Sequence, residues 1–177
     1  MIAYLQGITR QRSSWTLLLV SALFLEICAM VFQHGLGLSP CVMCIYERIA
    51  ILGLMTAALI ALINPQWLLL RWMALLIWGY SAIRGLQLAL KHVDYLLHPS
   101  PFNTCSLFPD FPSWLPLDGW TPWFFAAYAD CAERQWSLLG WELPQWLVPI
   151  FSLYLAIWLL ILIANLAQKG RLAPCGE

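Results

Sequence analysis

The sequence predicts an all-α membrane protein, a four-transmembrane-helix bundle with one long loop outside the bilayer. Three observations carry this. Hydrophobic residues make up 62% of the 177 and charged residues 10%, and the mean hydropathy is +0.74, more apolar surface than a soluble domain of this length can bury. Apolar runs of about 20 residues, the length that crosses a hydrocarbon core, lie at about 14–32, 42–63, 68–90 and 146–167. Basic residues cluster at one end of these runs, which orients them. Residues 1–177 are therefore expected to form a single four-span membrane domain.

Span one follows Arg10 and Arg12. A cleaved signal peptide would begin in the same way, but this run is longer than a usual h-region, has no clear A-x-A-like site, and is followed at once by another span. An uncleaved helix is expected. Leu25-Glu26-Ile27-Cys28 also lacks the small residue that precedes a lipidated cysteine. Span two opens at Pro40, which pre-sets the backbone for a first helical turn. Span three follows a short turn, with Arg71 in or beside it, and Lys169 and Arg171 follow span four. The other side has Arg134 and Lys91, and its long loop carries Asp110, Asp118, Asp130, Glu133 and Glu142. By the positive-inside rule both termini are cytoplasmic, and the loops at 33–41 and 91–145 face outward.

Orientation gives the six cysteines their meaning. Cys41 and Cys44 open span two on the outer side, Cys105 and Cys131 lie in the long outer loop, Cys28 is within span one, and Cys175 is in the cytoplasmic tail. An oxidising outer compartment allows Cys105 to pair with Cys131 and Cys41 with Cys44, whereas Cys175 should stay reduced. Cys28 is expected to pack as a small apolar side chain. A Cys105/Cys131 bond could simply staple the loop. That explanation suits Cys41/Cys44 less well, because closing a loop this short removes little chain entropy.

A C-x-x-C is otherwise a redox or a metal element. A metal reading would add one of His34, His92 and His98 near the same rim, but a closed site needs about four ligands, and no metal is assigned. Redox work fits the local chemistry, since the free N–H groups and dipole of a first helical turn favour negative charge on sulfur. At about 100° per residue, Cys41, Cys44 and Arg48 fall within roughly 60° of one another, with Arg48 about 6 Å deeper than Cys44.

An arginine in mid-span costs about 2.5–3.5 kcal/mol on the insertion scale, so Arg48 is a candidate functional residue. Glu26 on span one and Arg84 on span three come out at a similar depth, about 10 Å below the rim by helix rise. A buried ion cluster of the three is expected, which either serves the site or only neutralises Arg48 for insertion.

The long loop has two parts. Prolines from Pro99 to Pro122 disfavour regular helix around Cys105. Trp114, Leu115, Leu117, Trp120, Trp123, Phe124 and Phe125 then form an aromatic patch suited either to the membrane surface or to a partner protein. The run Cys131-Ala132-Glu133-Arg134-Gln135-Trp136 is expected to form a short polar helix. Nothing in the chain, whose formal net charge is +0, points to a nucleotide, haem or flavin site or to a nucleic-acid partner.

Together, Gln33-His34, Pro40-Cys41-Val42-Met43-Cys44-Ile45-Tyr46-Glu47-Arg48, Pro99-Ser100-Pro101-Phe102 before Cys105, and Asp130-Cys131-Ala132-Glu133-Arg134-Gln135-Trp136 resemble the disulfide bond formation protein B (DsbB) family of bacterial inner-membrane thiol:quinone oxidoreductases. The resemblance covers nearly the whole chain. It implies a periplasmic loop carrying a Cys105/Cys131 disulfide, which a reduced DsbA-like thioredoxin-fold partner attacks at Cys105. Cys131 would then pass the oxidation demand to Cys41, and Cys44 would be the thiolate that gives charge to a quinone, ubiquinone or menaquinone, drawn from the lipid bilayer. Arg48 would bind the quinone, and His92 would lie near it. A tetraspan scaffold with a stapled loop and a membrane metal-binding protein are the competing classes.

Overall fold

In the computed structural model the apolar runs fold as four long helices. These are α1 Arg12–Met30, α2 Val42–Ile63, α3 Leu68–Leu97 and, after the short α4 Leu117–Trp120 and α5 Pro122–Phe125, α6 Leu143–Arg171. The structure describes Gly7 and residues 9–99, 105–106 and 108–171, with side chains as far as Leu166. The expectations for Ser100, Pro101, Phe102 and Cys175, and for the side chains of Lys169 and Arg171, fall outside the described residues.

All four helices are long and apolar enough to cross a membrane. The 22 residues of α2 rise about 33 Å, close to the hydrocarbon thickness. Outward-facing side chains such as Leu17 (71% exposed), Leu76 (66%) and Ile163 (62%) are apolar, as lipid contact requires. The chain is a multi-pass membrane protein.

Helix α2 packs between α1 and α3, and α3 also packs on α6. Lipid tails are as apolar as leucine, so helices in a bilayer gain most from close van der Waals approach over small residues. Ala57, Ala58 and Ala61 on α2 and Ala74, Ala82 and Ala89 on α3 are fully buried. Glycine extends the same device. A Cβ at Gly53 would strike Ser81 of α3, and Cβ atoms at Gly79 and Gly85 would strike Trp158 and Phe151 of α6. Helices α1 and α6 meet through Tyr154, whose hydroxyl donates to Ser21 Oγ at 2.9 Å.

Two boundaries differ from the sequence expectation. Helix α3 runs to Leu97, not to about 90, because Lys91, His92 and Asp94 lower the hydropathy without breaking a helix. His92 is therefore helical and buried. Helix α1 continues into a π-helical turn, Val31–Gly35, which carries Gln33 and His34 to the cysteine-bearing end of the bundle.

The long loop caps that end. Tyr128 and Ala129 donate their backbone N–H groups to Pro40 O at 2.8 and 3.2 Å, and Gln33 Nε2 and His34 Nε2 both donate to Trp123 O at 3.0 Å. The polar helix expected at 131–136 is not there. Asp130 Oδ1 accepts from Ala132 N at 2.8 Å, and this short side-chain turn competes with a helical start. The chain then enters a hairpin, β1 Ser137–Leu138 with β2 Trp141–Glu142. Leu139 and Gly140 link the strands at φ of 55° and 82°, the left-handed pair that a tight two-residue hairpin demands. Trp114, Trp120 and Trp123 of the aromatic patch point outward.

Substituting Gly85 by alanine should destabilise the bundle by about 1–3 kcal/mol, as overpacking does. Thermal unfolding in detergent should show a lower midpoint than for Gly119→Ala, where the nearest neighbour of the new methyl is Pro116 at 4.0 Å.

Candidate active site

Cys41 is the N-cap of α2, and its Sγ accepts from the backbone N–H of Cys44 at 3.3 Å. The helix start thus folds one cysteine back over the other. The two Sγ atoms lie 2.8 Å apart as a free dithiol, so a disulfide needs a movement of only about 1 Å. The bond that is present joins Cys105 to Cys131. Cys131 is buried in one cluster with Cys41, Met43 and Tyr95, against which Cys44 and Cys105 also pack. A parallel backbone bridge between Cys41 and Ala129 sets the two pairs side by side.

Arg48 lies below the dithiol and is 5% exposed. Its Nε meets Glu26 Oε1 of α1 at 3.0 Å, and its Nη1 donates to Gln33 Oε1 at 2.9 Å and to Phe124 O at 2.6 Å. The Phe124 ring also stacks on the guanidinium, 4.7 Å from ring centroid to Cζ. Charge pairing, hydrogen bonds and cation–π contact together offset the desolvation of this cation. The expected three-member cluster loses a member. Arg84 is exposed and donates to Gln87 Oε1 at 3.2 Å, because equal depth does not put a side chain on the same face of the bundle.

His92 completes the group, with Nε2 3.4 Å from Cys41 Sγ and Nδ1 3.1 Å from Glu47 Oε1. Sequence reading gave Glu47, Gln33 and Phe124 no roles here. Glu47 was detectable as a second charge inside an apolar span, whereas the Phe124 carbonyl left no sequence signal. Cys41, Cys44 and His92 offer three ligand atoms within 4.8 Å of one another, one fewer than a closed structural zinc site uses. Cys28 is a partly buried free thiol on the wall of the apolar cavity that Cys44 also lines.

A cavity of about 100 Å³ opens beside Cys41, Cys44, Arg48 and His92. A second, of about 260 Å³, shares Phe32, Cys44, Trp136 and Leu143 with it and is lined mainly by apolar side chains of α1 and α6. The chemistry available is thiol–disulfide exchange between adjacent cysteine pairs, next to a buried cation and an apolar chamber.

Fold and site together define a membrane-embedded dithiol–disulfide protein. A sequence profile of disulfide bond formation protein DsbB matches residues 11–161. Similar proteins include disulfide bond formation protein B of Aeromonas salmonicida, 57% identical over 97% of this chain and 98% of the relative. Those of Aeromonas hydrophila, 56% identical over 97% and 98%, and Photobacterium profundum, 52% over 94% and 94%, are also alike. The chain belongs to the DsbB family.

Removing one member of a buried ion pair strands the other and costs about 3–5 kcal/mol. Glu26→Leu should therefore destabilise the protein strongly, while Glu26→Leu with Arg48→Met should recover most of the loss in a denaturation-based double-mutant cycle.

Proposed function

We propose that this chain is a disulfide-generating oxidoreductase of a bacterial inner membrane. It reoxidises a DsbA-like periplasmic thioredoxin-fold protein and passes the electrons through Cys105/Cys131 and Cys41/Cys44 to a membrane quinone, ubiquinone or menaquinone. Disulfide formation in periplasmic proteins is the outcome. Both termini are cytoplasmic in this reading. It is supported by the Arg10, Arg12 and Arg71 end of the bundle lying opposite the cysteines, where Arg10 O accepts from Gln66 Nε2 at 3.1 Å.

The observation that carries the reading is the burial of Cys131 and Cys41 in one cluster. A partner thiolate attacks Cys105, the more exposed sulfur of the loop disulfide, and the Cys105–Cys131 bond breaks. Once the Cys41–Cys44 pair has been closed to a disulfide, its electrons going to the quinone, Cys131 is released beside Cys41 and attacks it. The Cys41–Cys131 bond forms, the Cys41–Cys44 bond breaks, and Cys44 is the leaving thiolate. Exchange of this kind proceeds through mixed disulfides and needs the attacking and leaving sulfurs within reach. Bound quinone would supply the two-electron, two-proton acceptor. Cys44 and Arg48 would hold it, with His92 at the wall of the same cavity, and Arg48 provides fixed positive charge where negative charge develops.

Energetics constrain the loop disulfide. A bond with a potential near −300 mV would oxidise a DsbA-like dithiol, near −120 mV, only against about 8 kcal/mol. The loop bond must therefore be reducible, or be drawn forward by the Cys41/Cys44 pair. A structural staple alone would meet neither condition.

Anaerobic mixing of reduced DsbA-like protein with this protein and ubiquinone should consume the quinone, followed by its absorbance, and Cys44→Ser should abolish that loss. Undiminished turnover of the Cys44→Ser protein would overturn the scheme. With a reduced partner whose second active-site cysteine is replaced by serine, attack on the native Cys105–Cys131 bond should leave a mixed disulfide between Cys105 and the partner that accumulates on a non-reducing gel.

A further inference from the structure

We propose that His92 is the base that takes the proton from the Cys41 thiol, and that Glu47 is the residue that positions it. The inference deepens the proposed function and rests on the dithiol being redox-active. Three buried groups stand in line. Glu47 is 2% exposed, His92 3% and Cys41 4%. Glu47 Oε1 lies 3.1 Å from His92 Nδ1, and His92 Nε2 lies 3.4 Å from Cys41 Sγ.

A carboxylate accepts hydrogen bonds, so its contact with Nδ1 places a ring proton there, and in the neutral imidazole this leaves Nε2 as the acceptor. Among the described residues, the acidic hydrogen within hydrogen-bond distance of Nε2 is the Cys41 S–H, with Sγ at 3.4 Å. Nucleophile, base and orienting acid in hydrogen-bond sequence are the recurring arrangement for activating a thiol or hydroxyl. Packing alone explains it poorly. A carboxyl in this apolar setting costs free energy unless its charge is used, and Glu47 Oε2 has no hydrogen-bond partner.

The step balances as follows. When the dithiol closes, the Cys41–Cys44 bond forms, two S–H bonds break, and two electrons and two protons leave. The quinone-class acceptor takes both electrons and both protons. The Cys41 proton passes first to His92 Nε2, giving an imidazolium stabilised by Glu47, and from there to the acceptor in the cavity that His92 lines. Other charged or titratable groups lining that cavity are Cys44 and Arg48 of α2, Asp130 and Glu133 of the loop, and Glu142 of β2.

The test needs no quinone. In the reduced full-length protein, reaction of Cys41 with methyl methanethiosulfonate is followed by mass spectrometry, with Cys28 as internal control. His92→Ala should slow Cys41 at pH 7 by about tenfold or more, the low end or below of what a positioned base contributes. The deficit should close at high pH, and added imidazole should restore the rate. Truncation only widens access to Cys41, so a purely structural role would raise the rate. Glu47→Gln, of nearly the same shape, should slow Cys41 several-fold, by about the tenfold order or less, and move the ring proton from Nδ1 toward Nε2 in nitrogen NMR. Native Cys41 rates in His92→Ala, or an unchanged rate and ring tautomer in Glu47→Gln, would overturn the proposal. If the rates fall as expected but native protein reduces no quinone, the base assignment stands and the electron acceptor is wrong.

Discussion

Arg48 is where helix α1, helix α2 and the long loop meet, and the geometry of the site depends on keeping that cation buried. One side chain contacts Glu26 on α1, Gln33 on the π-helical turn, and the carbonyl and ring of Phe124 in the loop. Each partner comes from a different segment, so the charge is tolerated only when all three are assembled. The desolvation cost that makes a buried arginine unfavourable alone thus specifies one arrangement of the loop over the bundle. The loop reaches Pro40 through the backbone bonds of Tyr128 and Ala129, which brings Cys131 to the dithiol. The position of the second cysteine pair follows from the cation beneath the first.

The helix start supplies the other constraint. Cys41 is the N-cap and Cys44 lies in the first turn, where unpaired backbone N–H groups gather. Short C-x-x-C spacing puts both sulfurs on one side of that turn, and the Cys44 N–H already bonds to Cys41 Sγ. A dithiol here can open and close without moving the helix axis. The bundle below is closely packed for a different reason, the glycine and alanine contacts that bring α2, α3 and α6 together. Sulfur chemistry at the rim and tight packing in the bilayer are therefore separable.

What was legible in the sequence was what apolar length, charge cost and short spacing determine. The four spans, the facing of Cys41, Cys44 and Arg48 toward one cavity, and the depth of Glu26 follow from apolar length and from helix rise and rotation. Arg84 shows the limit of that reasoning, since depth is one coordinate and bundle rotation is another. Hydropathy put His92 in a loop, where the resemblance set it near the quinone, and it proved to be helical, because hydropathy marks the end of the apolar stretch and not the end of the backbone hydrogen bonds. The run from Cys131 to Trp136 failed as a helix because six residues have too few internal bonds to outweigh the Asp130 turn. Phe124 was legible only as an aromatic. Its role depends on a carbonyl, and every residue has one.

Proton movement is the requirement that electron transfer alone leaves open. Thiols release protons as well as electrons, and Cys41, His92 and Glu47 are all buried. Glu47 is adjacent in sequence to Arg48, yet the two point to different partners, Arg48 toward Glu26 and Glu47 toward His92. The pair of adjacent charges on α2 therefore splits the work. Arg48 supplies fixed positive charge beside the cavity, while Glu47 backs a group that can gain and lose a proton. Consecutive residues on a helix lie about 100° apart, so one turn of α2 serves both without placing the two charges in contact.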